Sequence, residues 1–128
     1  MESKHNQRLR KTERLTKSKP IELLFEKGEE VFIFPFKVVW QRIEKCEFPA
    51  KSMFVVPKRR FKSAVDRNHI RRLMKESYRI NKQVLYDTLK SKDTYIYLAF
   101  IYIGKEEITF KLMQKPMLKV FNKIDELV

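Results

Sequence analysis

The period of the hydrophobic positions changes along the chain, from none to helical, to strand-like, and back. Residues 1–19, "MESKHNQRLRKTERLTKSK", show no apolar period and read as a basic arm that orders on binding. In "PIELLFEKG", 20–28, Ile21, Leu24 and Phe25 fall at i, i+3 and i+4. Pro20 suits a first helical turn and Gly28 its end, so a short helix is expected. "EVFIFPFKVVWQRIEK", 30–45, is rich in β-branched and aromatic residues, and Pro35 makes it an edge strand or two segments. "KSMFVVPK", 51–58, reads as a further strand ended by Pro57, and "RRFKSAV", 59–65, as a basic connection. A long helix follows from about Asp66, its expected N-cap, to Val84 or Leu89. "DTYIYLAFIYIG", 93–104, is apolar nearly throughout, as suits a strand buried on both faces. Phe110, Met113, Met117, Val120, Phe121 and Ile124 have helical spacing, with a kink or a late start expected at Pro116. Helix, two or three strands, long helix, strand, helix is the order of an α/β sandwich, one mixed sheet with a few helices.

Charge sharpens this outline. The chain has 128 residues, enough for one domain and one core, and is 43% hydrophobic with a net charge of +13. A folded domain so charged attracts polyanions, nucleic acid first and an anionic membrane surface second. The excess is localised. Residues 51–82 hold eleven Lys and Arg against two acids, and residues 1–20 hold seven against two, whereas residues 21–50 are net acidic. Localisation favours a binding face over general solubility. The longest apolar run, 95–104, is too short to span a bilayer as a helix, and the N-terminus lacks the apolar run of a signal peptide, so cytoplasm is expected.

The densest stretch is "DRNHIRRLMKESYR", 66–79. On a helical wheel with Ile70 at zero, Leu73, Met74, Ser77, Ile80, Val84 and Leu85 lie within about 80° and form the expected buried face. Arg71, Lys82, Lys75, Asn68, Arg79 and Arg72 make one stripe, with Arg67 at its border and only Glu76 and His69 flanking. One acid cannot neutralise the stripe by i,i+4 pairing. A solvated helix face is the plain alternative. The near-pure sign and the adjoining "PKRRFK" favour phosphate, which the arginine fork fits and a helix N-terminus attracts. Duplex DNA readout would want a compact helical domain with a positioning helix, whereas this helix follows a strand.

Aromatic residues offer a second kind of contact, since single-stranded bases stack on exposed rings. Phe25, Phe36, Trp40, Phe54 and Phe61 lie near the basic segments; most such residues are core, and Phe61, inside "RRFKS", is the candidate for exposure. Catalytic signals are absent from the pattern. The lone Cys46 reads as a core or surface thiol, and His5 and His69 belong to no nucleophilic or metal-binding set. Glu13, Asp66 and Glu76 are isolated in sequence. The residue content is that of a binding protein whose chemistry, if any, resides in a partner.

"VVPKRRFKSAVDRNHIRRLMKESYR", 55–79, resembles the signature of the bacterial ribonuclease P protein subunit. That signature is a strand, a K/R-rich crossover and a helix of the form R-N-R-x-K/R-R-x-x-R/K-E. Here it reads Arg67-Asn68-His69-Ile70-Arg71-Arg72-Leu73-Met74-Lys75-Glu76. "ERL", 13–15, and "ELLFEKG", 22–28, look like the family's N-terminal segment, and the resemblance extends over most of 13–124. It implies a flexible basic arm at 1–12 and a single domain at 13–128, with one mixed four-stranded sheet and about three helices. It also implies a function. The family's protein joins a catalytic RNA, and the complex removes the 5′ leader of precursor tRNA by hydrolysis, with magnesium held mainly by the RNA. By position, Arg67, Asn68, Arg71, Arg72 and Lys75 match the motif that meets the catalytic RNA, and Lys58, Arg59, Arg60 and Lys62 match the basic crossover. His69, in place of the motif's second arginine, and Arg79, on the same stripe, complete the candidates. Ile21 and Phe25 match apolar positions of the cleft that receives the leader, and strand residues 36–40 are expected in its floor. Ile21 stands where an aromatic is common in the family. The expected partners are the catalytic RNA and precursor tRNA, with no membrane, and the protein a cytoplasmic monomer within the ribonucleoprotein. The alternative, which composition and charge fit equally, is a structural RNA-binding protein such as a ribosomal or assembly factor.

Overall fold

A computed structural model describes residues 9–128. A single 3-10 turn at Lys11–Glu13 leads into helix α1, Ser18–Lys27, then strands β1, Glu29–Ile33, and β2, Phe36–Ile43. Strand β3, Ala50–Val55, is followed by helix α2, Ala64–Ser91, strand β4, Tyr95–Tyr102, and helix α3, Phe110–Leu127. One mixed sheet has the order β1-β2-β4-β3. The β1–β2 and β2–β4 pairs are antiparallel, and β3 runs parallel to β4, so α2 is the crossover of a strand–helix–strand unit. The segment interrupted by Pro35 is two strands, joined by a tight turn with a cis Phe34–Pro35 bond. The apolar strand β4 is central, as its composition requires, with α2 and α3 on one face of it and α1 on the other.

The two faces differ. Phe36, Val38, Trp40, Ile96, Leu98, Phe100, Tyr102, Ala50 and Phe54 point to the side covered by α2 and α3. There the rings of Phe54, Tyr78 and Phe100 lie 5.4–5.7 Å apart, and Phe121 of α3 packs edge-on against Tyr78 at 5.8 Å. The other face has a small core, Leu15, Leu24, Val39 and Ala99, sealed by α1. Gly28 lets α1 end against β2. A Cβ there would stand 2.5 Å from the Leu24 carbonyl oxygen and 2.6 Å from Val39 Cγ1, so its role is close approach rather than unusual backbone.

Helix boundaries depart from the expected ones for local reasons. Helix α2 begins at Ala64 because Ser63 is the N-cap, its hydroxyl accepting the Asp66 N–H at 3.4 Å; Asp66 lies in the first turn instead. It runs beyond Leu89 to Ser91, where Asp93 takes a positive φ of 49° and the Thr94 N–H returns to the Leu89 carbonyl. Helix α3 starts at Phe110, capped by the Thr109 hydroxyl, and continues through Pro116 rather than starting late. Of the basic arm, residues 1–8 lie outside the described residues. Residues 9–12 are docked, with Leu9 against the main core and the Arg10 N–H donating to the Glu13 carboxylate at 2.8 Å.

Candidate nucleic-acid interface

The basic surface is assembled where β3 hands over to α2. Pro57 ends the pairing, and its carbonyl accepts the Arg60 and Phe61 N–H groups, turning the chain toward the Ser63 cap. Lys58, Arg59 and Lys62 are exposed on this turn, and Arg60 is half-buried. Arg67 faces back toward the crossover. One of its terminal nitrogens donates to the carbonyls of Phe61 at 2.9 Å and Lys62 at 2.8 Å, so it fixes the crossover against the helix. Arg71 donates to the Asn68 side-chain oxygen at 2.8 Å, which holds both on the exposed stripe beside Arg72. His69 is exposed and 3.6 Å from Glu107, in the chain before α3. Arg79 is tied to Glu76 through two donations of 2.9 Å.

The electrostatic centre of this surface is Lys75. Burial, and then the positive charges of Arg14 and Arg71, hold its ammonium below the usual lysine range. The three positive charges thus act on one another in the same unfavourable sense, and an external anion would relieve all three. Arg14 is the residue that the sequence pattern did not single out. Its segment is bridged to the edge strand at Ser52, with the Leu15 N–H donating to the Ser52 carbonyl at 2.8 Å. The only hint was its place in "ERL"; nothing local announces that this stretch adds to the sheet.

Lys82 does not belong to the exposed stripe. It is buried, its ammonium 2.5 Å from the Glu13 carboxylate, which also accepts the Tyr86 hydroxyl at 2.7 Å. Burial alone would raise the Glu13 carboxyl. The donations from Lys82, Tyr86 and the Arg10 N–H outweigh it and hold the group below its ordinary value. Val84, expected inside, is 49% exposed, and Tyr86 is buried in its stead. The buried face of α2 is Ile70, Met74, Ser77 and Tyr78 in the first half, then Lys82, Leu85, Tyr86 and Leu89. It rotates along a long helix packed on a twisted sheet, which a fixed wheel does not capture.

Of the five candidate stacking rings, Phe36, Trp40 and Phe54 are core, and Phe61 is half-buried against Tyr102 at 5.9 Å between centroids. Phe25 is the exposed one, at 44%. It stands on α1 with Ile21, which packs at the margin of the smaller core. Beneath them the strand register defines rows. Glu30, Val39, Ala99 and Met53 form one row, whose centre α1 covers; Phe32, Lys37, Ile101 and Val55 form the next row, in which Ile101 still packs against the smaller core and Phe32 at the sheet edge is exposed. Among residues 36–40, only Lys37 and Val39 therefore face α1, and only Lys37 is partly open there. On the opposite side of α1, a groove of about 430 Å³ is lined by Pro20, Leu23, Gln41, Ile43 and Tyr97 among others. Among the described residues, no group of three or more His, Cys, Asp or Glu is arranged to hold a metal ion, and no helix is long and apolar enough to cross a membrane.

Known proteins match this arrangement over nearly its whole length. The family model described as Ribonuclease P matches residues 9–125. The ribonuclease P protein component of Porphyromonas gingivalis is 34% identical over 117 residues, covering 91% of this chain and 85% of that protein. The solved RNase P protein of Thermotoga maritima superposes with a TM-score of 0.70 at 21% identity, over 87% of this chain and 96% of that one. That of Staphylococcus aureus gives 0.69 at 21% identity, over 89% and 95%. On the family match and the level of identity to its relatives, the chain belongs to the ribonuclease P protein component family.

Proposed function

We propose that this chain acts as the protein subunit of ribonuclease P, docking on the catalytic RNA through the crossover and the first half of α2, and receiving the 5′ leader of precursor tRNA beside α1. Membership of the family carries the partnership with the ribonuclease P RNA. The observation that favours the docking surface is the cluster of Arg14, Arg71 and Lys75, whose like charges oppose one another, flanked by Lys58, Arg59, Lys62 and Arg72. Phosphate oxygens supply the missing negative charge, and release of their counterions makes binding favourable and salt-dependent. Arg67 acts as a positioning residue, because its fork holds the crossover carbonyls. Phe25 and the open sheet face offer stacking and apolar contact to an unpaired leader. The leader is cut by hydrolysis at the mature tRNA 5′ end. Magnesium, held mainly by the RNA, supplies that chemistry, and the protein's side chains bind and orient. The protein works as a monomer within the ribonucleoprotein, in the cytoplasm.

The test is reconstitution with the ribonuclease P RNA of the same organism at low magnesium on a precursor tRNA. Cleavage at the mature 5′ end is expected only with both components present. A protein that adds nothing to the folded RNA would instead support a structural RNA-binding role.

A further inference from the structure

Helix α3 carries a second basic surface, outside the motif on α2. Between Phe110 and Ile124 its charged residues are Lys111, Lys115 and Lys119 and Lys123, with no Asp or Glu among them. These lysines recur at i, i+4 and form one row, about 6 Å apart along the axis and drifting about 40° around it per step. All of them are exposed, turned away from the buried face of Met113, Met117, Val120, Phe121 and Ile124. Among the described residues, Lys123 lies 3.8 Å from Glu126, and Lys111, Lys115 and Lys119 pair with no acid. This arrangement does not serve the helix. Like charges at i, i+4 oppose helix formation, and here such pairs follow one another along the row. The ends are set against the macrodipole as well. Lys111 stands in a first turn that holds no acid, and Glu126 in a last turn that holds no base. A solvated face that stabilised the helix would mix the signs and reverse these ends.

The row is separate from the dock on α2. The Ser77 hydroxyl and the Asn81 amide both donate to the Gln114 side-chain oxygen at 2.7 Å, and Lys92 meets Asp125 at 2.8 Å. Helix α3 therefore lies along the flank of α2 that carries these residues. Ser77 and Asn81 stand about 120–160° around α2 from Lys75. An RNA helix seated on Arg71 and Lys75 occupies one flank of α2, and the lysines of α3 look out from the other. Helices α3 and α1 cover opposite faces of the sheet, so a precursor held beside α1 is also remote from the row. We propose that the α3 lysines form a second phosphate-binding surface, which holds the backbone of a different helical element of the ribonuclease P RNA. This rests on the reading of the chain as the protein subunit of that RNA. Lysine ammoniums are point charges on flexible stems, so the row takes up backbone charge without reading sequence. Two phosphate-binding surfaces on different sides let one small protein hold two RNA elements together.

The experiment measures binding of the full chain to ribonuclease P RNA of the same organism, without tRNA, over a range of salt. Lys115→Gln/Lys119→Gln removes charge and keeps helix propensity, so its denaturation midpoint should match or exceed the parent's. Its slope of log affinity against log salt is expected to flatten by about two, and its affinity at low salt to fall about tenfold. Lys115→Arg/Lys119→Arg keeps the parental slope. Lys27→Gln/Lys45→Gln, an equal loss of charge at other exposed positions, keeps it too. In hydroxyl-radical footprinting, Lys115→Gln/Lys119→Gln should unprotect a different part of the RNA from Arg71→Ala/Arg72→Ala. A parental slope in folded Lys115→Gln/Lys119→Gln overturns the proposal. So does an equal flattening in Lys27→Gln/Lys45→Gln, or loss of the same footprint in both basic-surface variants. If Arg71→Ala/Arg72→Ala flattens the slope and Lys115→Gln/Lys119→Gln does not, only the α3 surface fails. If the parent shows no salt-dependent binding to this RNA, the subunit reading itself fails. Vesicles of anionic lipid add a last outcome. Parental binding to them that Lys115→Gln/Lys119→Gln abolishes, with the RNA slope unchanged, assigns the row to a membrane surface and overturns the proposal.

Discussion

Lys75 and Lys82 lie two turns apart on α2, and their surroundings are opposite. Lys82 is 4% exposed and shares the Glu13 carboxylate with Tyr86. Lys75 is half-buried with Arg14 and Arg71 as its charged neighbours. The protein neutralises the first charge from within, whereas the second has two cations as its charged neighbours and is the one proposed to meet RNA phosphate. The same residue type on the same helix thus has two opposite electrostatic settings. Local charge density cannot tell them apart, because the distinguishing group, Glu13, is 69 residues from Lys82.

The largest effect should fall on stability. Lys82→Ala leaves Glu13 buried without its counter-charge and is expected to cost about 3–5 kcal/mol. Chemical denaturation checks this. The paired replacement Glu13→Gln/Lys82→Met, which removes both charges, should recover most of that loss. Arg72→Ala, on the exposed stripe, should stay within about 0.5 kcal/mol of the parent in the same assay. Similar costs at positions 72 and 82 would erase the distinction between the two halves.

A smaller effect concerns the leader. Phe25→Ala should weaken precursor tRNA by about 1–2 kcal/mol more than mature tRNA, the range expected for one lost stacking contact. Equal losses for the two RNAs would make Phe25 a packing residue only.

The smallest effect is on pH dependence. The Glu13 carboxyl is depressed in the folded state, so between its folded and unfolded values the unfolded chain binds the extra proton. The stabilisation is complete above the unfolded value of about 4.3 and is lost as pH falls through the folded value below it. Denaturation across the acid range should show this component in the parent protein and lose it in Glu13→Gln/Lys82→Met. An unchanged acid limb would mean that Glu13 titrates alike in both states.

Much of this was legible in the sequence where a signal is local. The strand–crossover–helix order, the central position of the apolar β4 and the candidates on the exposed stripe follow from period, composition and motif spacing. What was hidden depends on groups far apart in the chain. Lys82 and Val84 exchange their expected exposure because α2 turns its buried face as it crosses the sheet, and because Glu13 arrives from the N-terminal turn. Arg14 joins the basic surface through a bridge to Ser52, and Phe61 is drawn against Tyr102 by a turn that begins at Pro57. Which strand residues face α1 became definite only with the register, which puts Phe32 opposite Lys37.

The central claim is that the first half of α2 is left cationic for RNA phosphates. Its most direct test is the salt dependence of binding to ribonuclease P RNA by the parent and by the Arg71→Ala/Arg72→Ala double variant. If both arginines release counterions, the slope of log affinity against log salt should flatten by about two, and the affinity lost between 50 and 200 mM salt should shrink by about tenfold. A double variant that folds normally and keeps the parental slope would contradict the account.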